Sequence, residues 1–188
     1  MDLMSLLLGS KEEGLLDVIS RDSGASLDQV EALTGLALPA LIEQISRNAQ
    51  SKEGLSSLSK ALDQHSGNDM TDLAGFLKGV DKEDGAKILG HIFSDKNASV
   101  QKSLAKSAGL SGKQVTMILS MLAPLVLGTM GNQKKKQNLD TAGVGSLAGQ
   151  LAKSLGSNKN LMSMALKLLD GGEDSSLDLK GMLGKFLK

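Results

Sequence analysis

Apolar residues recur along this chain at the three- and four-residue spacings of a helix face, between recognisable start and stop signals. Ser10-Lys-Glu-Glu13 is a capping box, in which serine and glutamate satisfy each other's orphan backbone amides. It predicts a helix with Leu15, Leu16 and Ile19 on one face, ending near Gly24. A second box, Ser26-Leu-Asp-Gln29, opens a helix with Val30 and Leu33 inward. Gly35 and Pro39 are expected to end it, with Pro39 in the first turn of a further helix running to about Gln50. A helix from about Lys52 to Asp63 groups Leu55, Leu58 and Leu62, and a turn follows at residues 65–69. Thr71 then starts a short helix, and Asp81 with Asp84 starts one that ends at Phe93.

The longest apolar stretch lies within Leu104–Gln133. Ser111 marks a helix start, and from Val115 to Met130 the chain is apolar nearly all round, so this segment must be buried on several sides. Pro124 is expected to break it into two helices that form a central hairpin. The same order of features occurs earlier in the chain: a shift of 85 positions superposes Gly24, Ser26, Gln29, Val30 and Pro39 on Gly109, Ser111, Gln114, Val115 and Pro124. The expectation is a tandem duplication, repeat 1 over about 10–93 and repeat 2 over about 95–188, with an insertion at Lys134–Gln137. The predicted fold is all-α: one domain over 1–188, a multi-helix bundle of two tandem related helical repeats. At its centre stands the Pro-broken apolar hairpin, with its Val30–Ile45 counterpart.

Composition changes this picture in one respect. Hydrophobic content of 40% and charged content of 22% are ordinary for a folded chain of 188 residues, but aromatics are only 2%, with no Trp and no Tyr. The core is therefore aliphatic and includes up to nine Met, which pack pliably. Lys plus Arg and Asp plus Glu are equal at 21 each, so no net field favours nucleic acid or an acidic membrane surface. The absence of Cys excludes disulfides, thiolate metal sites and a Cys nucleophile. The first residues lack a basic flank and do not read as a secretory signal. No apolar run reaches the roughly 18 uninterrupted residues of a membrane span. The expected location is the cytoplasm.

Asp84-Gly-Ala-Lys-Ile-Leu-Gly-His-Ile-Phe93, with Val100, Leu104, Gly109-Leu-Ser111, Val115 and Met121-Leu-Ala-Pro-Leu-Val-Leu-Gly128, resembles the bacterial family numbered 937 among domains of unknown function, the YidB-like group. The resemblance is most specific over residues 81–133. It implies a small, helical, glycine-rich protein and supplies no activity. Many members carry an Asp-rich, calcium-loop-like segment near the C-terminus, and the stretch here in that place is Asp170–Asp178. By the chemistry of a calcium loop, which needs oxygen ligands at positions 1, 3 and 5, glycine at 6 and an acid at 12, only Asp170 and Asp174 fit, with Asp178 as a ninth ligand. They are weak metal candidates, and a turn leading into a helix N-terminus explains the same residues. No cofactor is expected.

Ala105, Gly109, Leu110-Ser111 and Gln114-Val115 have the spacing of a helix-turn-helix over residues 104–121. Its second helix offers only Lys113, Gln114, Thr116, Met117 and Ser120 to bases. In the first copy Asp28 and Glu31 would face phosphates, and Arg21 and Arg47 are the only arginines. The basic run Lys134–Lys136 reads as solvated cations at a helix C-terminus. Gly75, Gly90 and Gly184 fall inside helical patterns, where glycine lets helices approach closely. His91 sits between apolar neighbours, far in sequence from His65. No nucleophile elbow or phosphate loop occurs, so the sequence leans away from catalysis. The reading is a non-catalytic protein-interaction or structural module, acting through an apolar helical groove. Gly109, Ser111, Val115, Met121, Leu122 and Pro124 form its interaction or core motif, and the partner is another protein or a second copy. A DNA-associated protein using the helix-turn-helix segment and a small enzyme with a carboxylate-based site are the alternatives.

Overall fold

The computed structural model describes residues 14–67, 69–156 and 159–170. Helices follow one another as α1 (Leu15–Ser23), α2 (Leu27–Asn48), α3 (Lys52–His65), α4 (Leu73–Lys78), α5 (Lys82–Phe93), a 3-10 turn at Ser94–Lys96, α6 (Asn97–Ala108), α7 (Gly112–Gln137), α8 (Thr141–Gly156) and α9 (Lys159–Leu169). Among the described residues there is no strand, and the architecture is the expected all-α bundle. The capping box at residues 10–13 and Gly184 lie outside the described residues.

The local signals act as their chemistry requires. Ser26 Oγ accepts from the Gln29 amide while Gln29 Oε1 accepts from the Ser26 amide, and Ser111 and Gln114 form the same reciprocal box at the start of α7. Asp81 caps α5, accepting from the amides of Glu83 and Asp84. Gly24 and Gly109 close α1 and α6 in the left-handed conformation, at φ 67° and 65°. Asp72, rather than Thr71, caps α4. Thr71 instead donates its hydroxyl and its amide to Asp69, and the hydroxyl bond first, then the backbone bond, hold that carboxyl below its usual range.

The structure corrects the expectation for both prolines. Pro39 lies inside the single 22-residue helix α2 and Pro124 inside the single 26-residue helix α7, so there is no Pro-broken hairpin. An interior proline costs about 3 kcal/mol through its lost amide bond and ring clash. Around Pro124, however, Met121, Leu122, Leu125 and Val126 are all buried. At about 1.5–3 kcal/mol per fully buried large aliphatic side chain, packing outweighs the defect. The defect also has a use. Pro124 leaves the Ser120 carbonyl without its helical donor, and Gly85 of α5 comes against that carbonyl so closely that a Cβ there would lie 1.9 Å from the oxygen. Only a glycine Cα–H fits this gap. Gly131 is a second close crossing, where a Cβ would meet the Leu62 carbonyl at 2.6 Å. Gly90, expected to be such a point, faces open space, and Gly75 merely clears the Asp72 cap.

Long helices α2 and α7 are the two pillars, and their surroundings mirror each other. α1 packs on α2 and α7, as α6 packs on α7 and α2; α3 leans on α7, as α8 leans on α2. At the crossing, Gln29 Nε2 donates to the Gly109 carbonyl at 2.9 Å and Gln114 Nε2 donates to the Gly24 carbonyl at 3.0 Å. Each capping-box glutamine thus also binds the glycine that closes a different helix, Gln29 that of α6 and Gln114 that of α1. The buried side chains, from Leu15 to Leu169, form one continuous aliphatic cluster that includes Phe93.

Candidate functional site: the groove between α3 and α5

The residues singled out by sequence are distributed between core and corners. Val115, Met121, Leu122 and Pro124 are buried in α7, while Gly109 and Ser111 form the turn before it. The apolar run is thus covered by the chain's own helices. By length and composition α7 could cross a membrane, with a mean hydropathy of 1.5 over its most apolar window, but 78% of that window is buried inside the protein. Leu27 is the exposed large hydrophobic side chain among the described residues. In the helix-turn-helix segment, Gln114 is engaged at Gly24, Thr116 donates to Gln101 and to the Gly112 carbonyl, and Ser120 is buried, leaving Lys113 exposed.

The basic run differs from its reading as a set of solvated cations. Lys135 and Lys136 are exposed, but Lys134 is buried, donating to Ser59 Oγ at 2.9 Å, the Ser59 carbonyl at 3.1 Å and Asp63 at 2.6 Å. This ties α7 to α3 beside the Gly131 crossing, where close approach lets the lysine stem lie along the neighbouring helix. Of the weak metal candidates, Asp170 is exposed and accepts from Arg47 at 3.4 Å; Asp174 and Asp178 lie outside the described residues. At Arg47 burial disfavours the charge, yet bonds to Glu43 and Asp170 hold its pKa above the ordinary value.

What sequence reasoning missed is a place, not a motif. α3 and α5 both rest on α7 and make little contact with each other, leaving a groove of about 770 Å³ between them. Its floor is apolar and buried: Ile45 from α2, Leu58 from α3, Ile88 and Ile92 from α5, and Leu127 from α7. Ser57, Lys60 and His65 line it from α3, and Asp84, Lys87 and His91 from α5. Both histidines of the chain, distant in sequence, therefore open onto one cavity. His91 is exposed rather than held between apolar neighbours, because Ile88 and Ile92 turn inward and carry it outward on the same helix. One end of the floor is fixed by Asn48, whose Nδ2 donates to the Ile92 carbonyl at 2.9 Å while its Oδ1 accepts from Gln44.

The family described as "Bacterial protein of unknown function (DUF937)" matches residues 3–133. The chain belongs to this family. Every residue lining the groove, from Ile45 to Leu127, falls within the DUF937 segment, whereas α8 and α9 lie beyond it. Neither a curated protein nor a solved structure matches the chain.

Proposed function

We propose that this DUF937 protein is a non-catalytic interaction module that works by holding an apolar segment of another molecule in the groove between α3 and α5. The observation that carries this reading is the groove itself: a floor drawn from four helices, open to solvent, with polar and cationic side chains along both walls. A concave site with an apolar floor and polar groups converging at its mouth is a usual form of binding site, and here Asn48, Ser51, Gln64 and Ser94 add to the polar part of the lining. The apolar run of α7 serves this reading from inside, as the support on which both walls stand. The reciprocal Gln29 and Gln114 bonds support a domain of two duplicated halves. They also weigh against the DNA-associated alternative, since the glutamine best placed to read a base edge is engaged within the protein.

A photo-crosslinking amino acid placed at Ser57, on the groove wall, and separately at Lys113, on the exposed start of α7, tests the reading in living cells. Discrete adducts from position 57 and none from position 113 are expected. Equal patterns from both positions, or no adduct from 57 together with no small molecule bound in the groove, would contradict it.

A further inference from the structure

Building on the groove reading, we propose that the ligand of this groove is a small amphiphilic carboxylate, its tail on the floor and its head at the rim. The volume, about 770 Å³, lies within the range of roughly 300–1,000 Å³ typical of small-molecule sites. The floor residues Ile45, Leu58, Ile88, Ile92 and Leu127 are aliphatic and suit a flexible hydrocarbon, and the polar side chain at the floor's end, Asn48, is engaged with the Ile92 carbonyl and Gln44. A head group must therefore stay where water and donors remain, because an unpaired buried charge is costly.

The rim decides the sign of that head. Lys60 on one wall and Lys87 on the other are exposed, so their ammonium groups can reach the mouth without being desolvated, while their stems lie along the walls. His65 and His91 add ring N–H donors from the same two walls. Against these stands one acid in the lining, Asp84. Two cations and two imidazoles facing a single carboxylate favour an anion at the mouth, and a cationic amphiphile would find one partner and two repulsive neighbours.

The test is a two-dimensional amide NMR titration of the full chain with dodecanoate, with dodecyltrimethylammonium as the probe of opposite charge and equal chain, both below their micelle concentrations. Dodecanoate is expected to shift amides of α3 and α5 saturably and to bind at least about tenfold more tightly than the cation. Lys60→Glu together with Lys87→Glu, both exposed, is expected to reduce dodecanoate affinity by about tenfold and to raise that of the cation. Equal affinity for the two probes, or dodecanoate shifts centred away from α3 and α5, would overturn the proposal. A protein adduct from Ser57 without dodecanoate binding would overturn the carboxylate assignment and leave the groove reading standing; failure of both experiments removes the groove reading as well.

Discussion

The hydrogen that Gly85 carries in place of a side chain points at the Ser120 carbonyl, and that oxygen is free because Pro124 has no amide to give it. Two residues in separate helices thus cooperate through a third, and the consequence is measurable. Gly85→Ala puts a methyl 1.9 Å from backbone oxygen, so α5 must shift off α7, at a cost of about 1–3 kcal/mol. Gly90→Ala, five residues on in the same helix, meets nothing within 4 Å and is expected to stabilise by about 0.5–1 kcal/mol through helix propensity alone. Urea unfolding of the two variants checks the pair; equal shifts would mean that α5 does not touch α7 at Gly85. The apolar spacing separates these glycines in part, since Gly85 falls on the face of Ile88, Leu89, Ile92 and Phe93 and Gly90 does not. How close the contact at Gly85 becomes is set by Ser120, on a helix that begins only after α5 and α6 are complete.

At the scale of elements, much was legible. Ser26, Ser111, Asp81, Gly24 and Gly109 mark helix ends by hydrogen bonds made within a few residues, so their types announce them. The prolines misled for the complementary reason: whether Pro39 or Pro124 ends a helix depends on how much apolar surface its flanks bury, and that is a tertiary quantity. Lys134 misled similarly, since a lysine in a run of three looks solvated until another helix passes within reach. The pattern shared by residues 24–39 and 109–124 does pick out residues that meet, and their cross-bonds give a prediction. Gln29→Ala and Gln114→Ala each remove a capping bond at their own helix start and a bond to the glycine of the opposite corner, so each is expected to cost about 1 kcal/mol, with similar values for the two. Chemical denaturation of both single variants measures this; a loss at one position and none at the other would break the equivalence of the two corners.

At the scale of the molecule, the apolar run that dominates the sequence supports the site rather than forming it. α7 buries its middle under the surrounding helices and presents Leu127 to the floor of the groove, while the polar rim comes from α3 and α5. This division hid the candidate site from sequence reasoning. His65, His91, Lys60 and Lys87 carry no motif, and only the shared seat of α3 and α5 on α7 brings them to one opening. Occupancy of that opening is the central claim, and native mass spectrometry of the full chain, purified without denaturant, tests it most directly. It should be run beside Ser57→Trp, which fills the groove from an exposed position. A bound mass is expected on the unaltered protein and is lost from the filled variant at unchanged helicity. A bare spectrum for both, or the same bound mass retained by Ser57→Trp, would contradict it.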